Sequence, residues 1–228
     1  MPVHTFYQQQ LPASGDSFIA DEKAHLRVVR MRPGEEALFL DGRGGVARCV
    51  QKDAKTQLWE VVALEQRPQP TPQGLLMPIL RGAKFDWVVE KSVELGITHL
   101  GIFPAQKSHE GAIKPDRLQN LIIAAMKQSG AVFLPVIDQL PPIVQWSSIP
   151  WGLSHLYFGS LETDARWIRE VSIQRPWCWA AGPESGWSEE EEKALRKLGG
   201  RPVRLHSLVL RAETAAICGL SCLAALQE

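Results

Sequence analysis

The sequence predicts a mixed α/β protein: a small N-terminal β domain, then a parallel sheet covered by helices on both faces. Three observations predict it. Up to about residue 65 the chain carries short β-type runs separated by glycines. Residues 67–74 place three prolines at alternating positions, and from residue 75 onward strand-like and helix-like runs alternate to the end. Alternation of that kind argues for parallel strands joined by crossover helices. The proline-rich stretch favours an extended, semi-rigid connection, which puts the boundary between a domain at 1–70 and a domain at 71–228.

In the first part, residues 37–40, 45–50 and 58–64 read as strands, with Asp41-Gly42 and Gly44-Gly45 as hairpin punctuation between the first two. These imply a small barrel or sandwich. No helix pattern follows the glycines, so a hairpin explains them better than a phosphate loop. Just before them, Arg27, Arg30 and Arg32 fall within six residues, followed by Arg43 and Arg48. From 25 to 50 the acids are Glu35, Glu36 and Asp41. That excess of cations is either a solvated face or a phosphate-contacting patch.

After the prolines, residues 75–80 read as a strand. Residues 84–95 form a helix with Phe85, Val88, Val89 and Ser92 on one side, and 98–103 is again a strand. Residues 116–128 form a helix with Leu118, Leu121, Ile122, Ala125 and Met126 on one face, and 132–137 and 156–159 supply further strands. The series closes with a strand at 177–181, a helix at 188–198, a strand at 203–205 and an apolar helix at 212–226. Ser188 with Glu191 has capping-box spacing, and the acids from 189 to 192 suit a helix start. The last helix is apolar on nearly every face, as expected of one packed on all sides.

The 228 residues carry zero formal net charge, so any affinity for nucleic acid must come from local patches. Cys49, Cys178, Cys218 and Cys222 lack both a disulfide-framework and a zinc-ribbon pattern. Cys218 and Cys222, one turn apart, read as small core residues, and no metal is expected. Apolar runs are too short for a membrane span and the N-terminus lacks a signal pattern, so a cytoplasmic protein is the expectation.

Two loops, 182–187 and 205–211, leave the ends of predicted strands, the edge at which open α/β sheets bind ligands. The competing reading makes both of them tight connections. The turn after the first strand of this part is Arg81-Gly82-Ala83-Lys84, so the Gly-x-Gly-x-x-Gly dinucleotide fingerprint is absent.

Three segments, Glu90-Lys91-Ser92-Val93-Glu94-Leu95-Gly96, Gly182-Pro183-Glu184-Ser185-Gly186 and Leu208-Val209-Leu210-Arg211-Ala212-Glu213-Thr214-Ala215, resemble the signatures of the RsmE family. The resemblance spans nearly the whole chain in the right order. It implies an S-adenosylmethionine-dependent methyltransferase acting on N3 of a uridine in small-subunit ribosomal RNA. It also implies a PUA-like RNA-binding β-barrel at the N-terminus, a SPOUT-type domain whose C-terminal segment threads a trefoil knot, and a homodimer. Cofactor contacts would fall to Leu156, Gly159, Gly182, Glu184, Gly186, Leu205, Leu208 and Leu210. Arg211 would orient the uracil, with Glu184 or Glu213 as proton acceptor, and Arg27, Arg30, Arg32, Arg43 and Lys107 would contact RNA. His109 and His206 are further candidates to meet the base.

Methylating uracil N3 requires its weakly acidic proton to leave, so the site needs a base or a group that stabilises the uracil oxyanion. The base must come from a single-stranded or splayed nucleotide. The chain departs from the family pattern at Lys107 and Ala131, where arginine is usual, and at Ser185 and His206, where glycine is usual. Lysine does not replace the forked guanidinium in phosphate recognition. A non-catalytic RNA-binding protein of the same fold is the alternative.

Overall fold

A computed structural model of the chain describes residues 4–22, 26, 28–108, 111 and 113–226. Its backbone contacts form two compact units, Met1–Gln69 with Ile122–Leu134, and Pro70–Leu121 with Pro135–Glu228.

The first unit is a five-stranded sheet: β1 His4–Tyr7, β2 Ser17–Ile19, β3 Glu36–Leu40, β4 Gly45–Asp53 and β5 Leu58–Gln66, in the order β1-β3-β4-β5-β2. β1 runs parallel to β3, and the other neighbours are antiparallel. Asp41 Oδ1 accepts from the amides of Arg43 and Gly45 at 2.7 and 2.8 Å, an Asx-type turn that closes the β3–β4 hairpin where glycine punctuation predicts it. Phe6, Phe39 and Trp59 fill the core, with ring centroids 5.0–6.2 Å apart. β1 and β2 are too short, at four and three residues, for period-two alternation to reveal them. The strand expected at 132–137 is largely absent: an isolated bridge joins Phe133 to Arg43, and a regular strand begins only at Val136. Pro135 explains the break, since it has no N–H for the ladder.

The second unit holds a seven-stranded sheet: β6 Gln73–Met77, β7 His99–Ile102, β8 Val136–Gln139, β9 His155–Gly159, β10 Arg166–Trp167, β11 Trp177–Ala180 and β12 Arg201–Arg204. Its order is β10-β12-β9-β11-β6-β7-β8, and every neighbouring pair is parallel. The helices are α1 Ala83–Glu94, α2 Pro115–Ser129, α3 Glu189–Lys197 and α4 Ala212–Leu226. Side chains alternate across a strand. On β11, Cys178 and Ala180 join a core cluster with Leu195 of α3, while Trp179 points the other way, against Gly219 of α4. The sheet is therefore covered on both faces, as alternation of strands and helices predicts.

Ser188 caps α3 by accepting from Glu191 N at 3.2 Å, while Glu191 Oε2 accepts from Ser188 N at 2.9 Å. The other Glu191 oxygen accepts from Gln106 N at 2.9 Å, tying the cap to the loop after β7. Replacing Ser188 by Ala should cost about 1 kcal/mol, read as a melting point roughly 2–4 °C lower. An unchanged melting point would exclude this role. α4 buries Ala212, Ala216, Gly219, Leu220 and Leu223 on one face only. Ile217, Cys218, Ser221 and Cys222 are half-buried, so the expectation of a helix enclosed on all sides, with both cysteines in the core, is corrected. Its apolar composition is spread over small residues, and the sheet and α1 cover a single face.

Candidate functional site

β9, β11 and β12 lie side by side in the sheet although they are distant in sequence, and a loop leaves the C-terminal end of each. The three loops bound a cleft of about 160 Å³ that opens to solvent. Gly159 at the end of β9 and Leu161 after it line it, with residues 181–184, Gly186 and Trp187 from the second loop, Leu205, His206 and residues 208–210 from the third, and Ala212 and Ala215 of α4 closing one side. Of the eight cofactor contacts read from sequence, Gly159, Gly182, Glu184, Gly186, Leu205, Leu208 and Leu210 line this cleft. Leu156 does not: it is buried in the core cluster beside Leu195 of α3.

Trp187, which sequence reasoning did not single out, shapes the cleft. Its Nε1 donates to Gly159 O at 3.0 Å, and its ring stacks on Phe103 at 6.2 Å and meets Phe158 edge-on at 6.5 Å. A Cβ on Gly182 would lie 3.1 Å from that ring, so glycine allows the backbone to pass close to it. Gly186 N donates to Pro183 O at 2.9 Å, closing a tight turn in which Gly186 has φ 73°. Ser185 is not among the residues with positive φ, so serine sits in this turn without backbone strain. His206 Nδ1 accepts from Leu208 N at 3.1 Å and braces its own loop, which a glycine could not do.

The charges around the cleft are organised by Lys84, at the start of α1. Its Nζ donates to Glu184 Oε1 at 2.7 Å and stands 3.5 Å from Glu213 Oε2. One lysine thus joins the loop after β11 to the start of α4. The hydrogen bond to Glu184 raises the Lys84 pKa above its ordinary value. The ammonium stays protonated through neutral pH, and the pair is lost only as pH rises past that raised value. Lys84 therefore holds carboxylates in place and is not a base. Glu213 Oε2 is buried and, at that distance from Lys84, accepts no hydrogen bond. A buried acceptor of this kind is costly to leave unfilled. Nothing in sequence spacing marks Lys84, which is 100 residues from Glu184.

Arg211 is exposed, and its carbonyl accepts from Ala215 N at 2.8 Å, the first turn of α4. Its guanidinium has no partner among the described residues. A local Arg211–Glu213 ion pair is thus absent, because Glu213 turns to Lys84. Of the RNA contacts read from sequence, Arg30, Arg32 and Arg43 are exposed in the first unit. Arg48, beside them, is paired with Glu36 at 3.1 Å. Arg27 and His109 lie outside the described residues. Lys107 is exposed in the second unit with Nζ 3.4 Å from Trp187 O, at the back of the cleft's wall. Among the described residues no cluster of His, Cys, Asp and Glu could hold a metal ion, and no helix is long and apolar enough to cross a membrane.

A parallel sheet with a glycine-rich cleft at the ends of three crossed-over strands defines a small-molecule-binding α/β unit, here joined to a β unit with exposed arginines. A family model described as an RNA methyltransferase domain matches residues 67–224, and the chain belongs to that family. An RNA methyltransferase PUA domain model matches residues 19–55. The chain is 29% identical to ribosomal RNA small subunit methyltransferase E of Synechocystis sp., over 89% of this chain and 70% of that protein. It is 26% identical to the Aquifex aeolicus protein of the same name, over 97% and 99%. Its fold superposes on a ribosomal RNA small subunit methyltransferase E from Neisseria gonorrhoeae bound to S-adenosyl methionine with a TM-score of 0.87, at 24% identity, covering 99% of this chain and 98% of that one.

Proposed function

We propose that the protein is an S-adenosylmethionine-dependent methyltransferase that modifies N3 of a uridine in small-subunit ribosomal RNA. The observation that carries this reading is the cleft built by the loops after β9, β11 and β12 in a chain of the RNA methyltransferase domain family. Its curated relatives are named as enzymes of that class. The residues present suit the cofactor. The cleft is mostly apolar, and Gly182 leaves a backbone cradle against Trp187 that a Cβ would fill. When bound, the cofactor supplies an electrophilic methyl group on a sulfonium.

The chain's own residues do the rest. Trp187 and the loop backbones exclude water and fix the reacting geometry. Arg211, which stands between Leu210 and Ala212 of the cleft's lining and whose guanidinium has no partner among the described residues, offers forked donors to a uracil carbonyl oxygen, where charge accumulates once N3 loses its proton. Glu213, whose buried Oε2 is held by Lys84 only at 3.5 Å, accepts that proton in preference to Glu184, whose Oε1 is bonded to Lys84 at 2.7 Å. Held against Gly182 and Trp187, the cofactor would supply the methyl group and its sulfur would leave with the bonding electron pair, while Arg211 and Glu213 hold the uracil oxygen and the N3 proton. In this reading the loops thread a trefoil knot of the SPOUT type, and residues 1–70 and 71–228 are the PUA-like and methyltransferase domains. The half-buried face of α4 pairs two copies in a cytoplasmic homodimer.

Purified protein incubated with labelled S-adenosylmethionine and small-subunit RNA lacking the modification should transfer label to one uridine. No transfer to RNA would overturn the enzyme reading. Failure to bind the cofactor in calorimetry would favour the non-catalytic alternative, whose motivation is weakened by the strain-free fit of Ser185 and the bracing role of His206.

A further inference from the structure

A second cavity, of about 380 Å³ and partly open, lies in the same unit outside the cleft described above. Its apolar wall includes Leu80 and Phe85, both more than nine-tenths buried, and half-buried Ile113. Lys114 and Arg117 stand at its rim with Asp86. Arg117 donates to Asp86, an exposed pair of a kind that contributes little and exchanges readily for another anion. Lys114 has no ion-pair partner among the described residues, and Asp116 lies outside the cavity's lining.

Position on the sheet gives the cavity its meaning. Leu80 follows the C-terminal end of β6, and β6 is the neighbour of β11, whose loop builds the first cleft. Gly82 and Phe85 at the start of α1 face the cavity, while Lys84 between them is bonded to Glu184 of the first cleft. The two hollows thus share one sheet edge and are separated by one ion-paired wall.

We propose that this cavity receives a nucleotide flanking the target uridine, its base against Leu80, Phe85 and Ile113 and its phosphate on Lys114 and Arg117. The inference rests on the function proposed above. A target base inserted into the first cleft must be splayed from its strand, which leaves its neighbours unstacked and in need of an apolar surface and cations. A cavity with a buried apolar wall and an excess of cations at its mouth offers both. A protein partner would instead need a wide exposed apolar face.

The test uses the full-length protein, a short single-stranded oligoribonucleotide spanning the methylated uridine, and fluorescence anisotropy over a range of salt. In the Lys114→Ala/Arg117→Ala variant the RNA dissociation constant should rise roughly tenfold and the salt slope should fall by about 1. Ile113→Ala should weaken binding roughly five- to tenfold with the salt slope unchanged, as loss of a base contact requires. S-adenosylmethionine affinity should be unaltered in both. Unchanged RNA affinity and salt slope in the charge variant, in a protein that otherwise methylates RNA, would overturn this inference and leave the proposed function standing. An unaltered protein that neither binds nor methylates the RNA would overturn both.

Discussion

Replacing Arg211 by Ala is expected to lower the rate of methyl transfer about 10²–10³-fold, the loss that accompanies removal of one preorganised donor from a developing oxyanion. Affinity for S-adenosylmethionine should stay within a factor of two or three. The expectation follows from how Arg211 is held. Its carbonyl accepts from Ala215 N in the first turn of α4 and its chain neighbours Leu210 and Ala212 line the cleft, while its exposed guanidinium has no partner among the described residues. Truncating it strands no buried charge, and stability should change by no more than about 0.5 kcal/mol. Arg211→Lys should recover only part of the rate, because an ammonium cannot make the forked contact. Single-turnover kinetics with calorimetry separates the two effects. A rate within a few-fold of the unaltered protein would remove Arg211 from the chemistry, and a parallel loss of cofactor affinity would make it a binding residue instead.

The second large effect is expected at Gly219, where helix propensity and packing disagree in sign. Alanine in the middle of a helix is favoured over glycine by about 1 kcal/mol, so sequence reasoning alone expects Gly219→Ala to stabilise α4. A Cβ there would lie 2.1 Å from Cε2 and 2.3 Å from Cζ2 of Trp179. Trp179 is fully buried in β11, and relieving the clash would require its ring to shift toward the cleft. Overpacking of this kind costs roughly 1–3 kcal/mol and outweighs the propensity gain. Because Trp179 also lines the cleft, a displaced ring should weaken cofactor binding as well. Thermal unfolding should show a lower melting point for Gly219→Ala, and Trp179→Phe should relieve part of the loss in the double variant. A melting point equal to or above that of the unaltered protein would show that α4 and β11 do not meet as described.

Gly219 also shows where sequence reading stops. The 3.6-residue period of α1 and α2 put the buried faces of both helices in view, and the Ser188–Glu191 spacing gave the start of α3 because those contacts are local in the chain. β1 and β2 were hidden by their length, and the strand expected at 132–137 was cut short by Pro135. α4 misled for a different reason. Its composition is apolar throughout, but composition does not say how many faces neighbouring elements cover.

The site divides in the same way. Glycines at 182 and 186 and the loop before Arg211 are visible in the sequence, since turns that need close backbone approach or positive φ leave their mark on residue choice. The family resemblance assigns Leu156 to the site, and strand alternation turns its side chain into the core beside α3.

By itself, then, the sequence determined the α/β class, the helix faces, the two loops of the cleft and the family, because each of these is written in short-range patterns. Only the tertiary structure decided that β9, β11 and β12 stand together, that Trp187 and Gly159 form one wall, and that Lys84 links Glu184 to Glu213 and leaves Arg211 without a partner among the described residues. The physical reason is range. Ion pairs and ring contacts act over a few ångströms in space, and parallel crossovers bring together residues 100 positions and more apart in the chain.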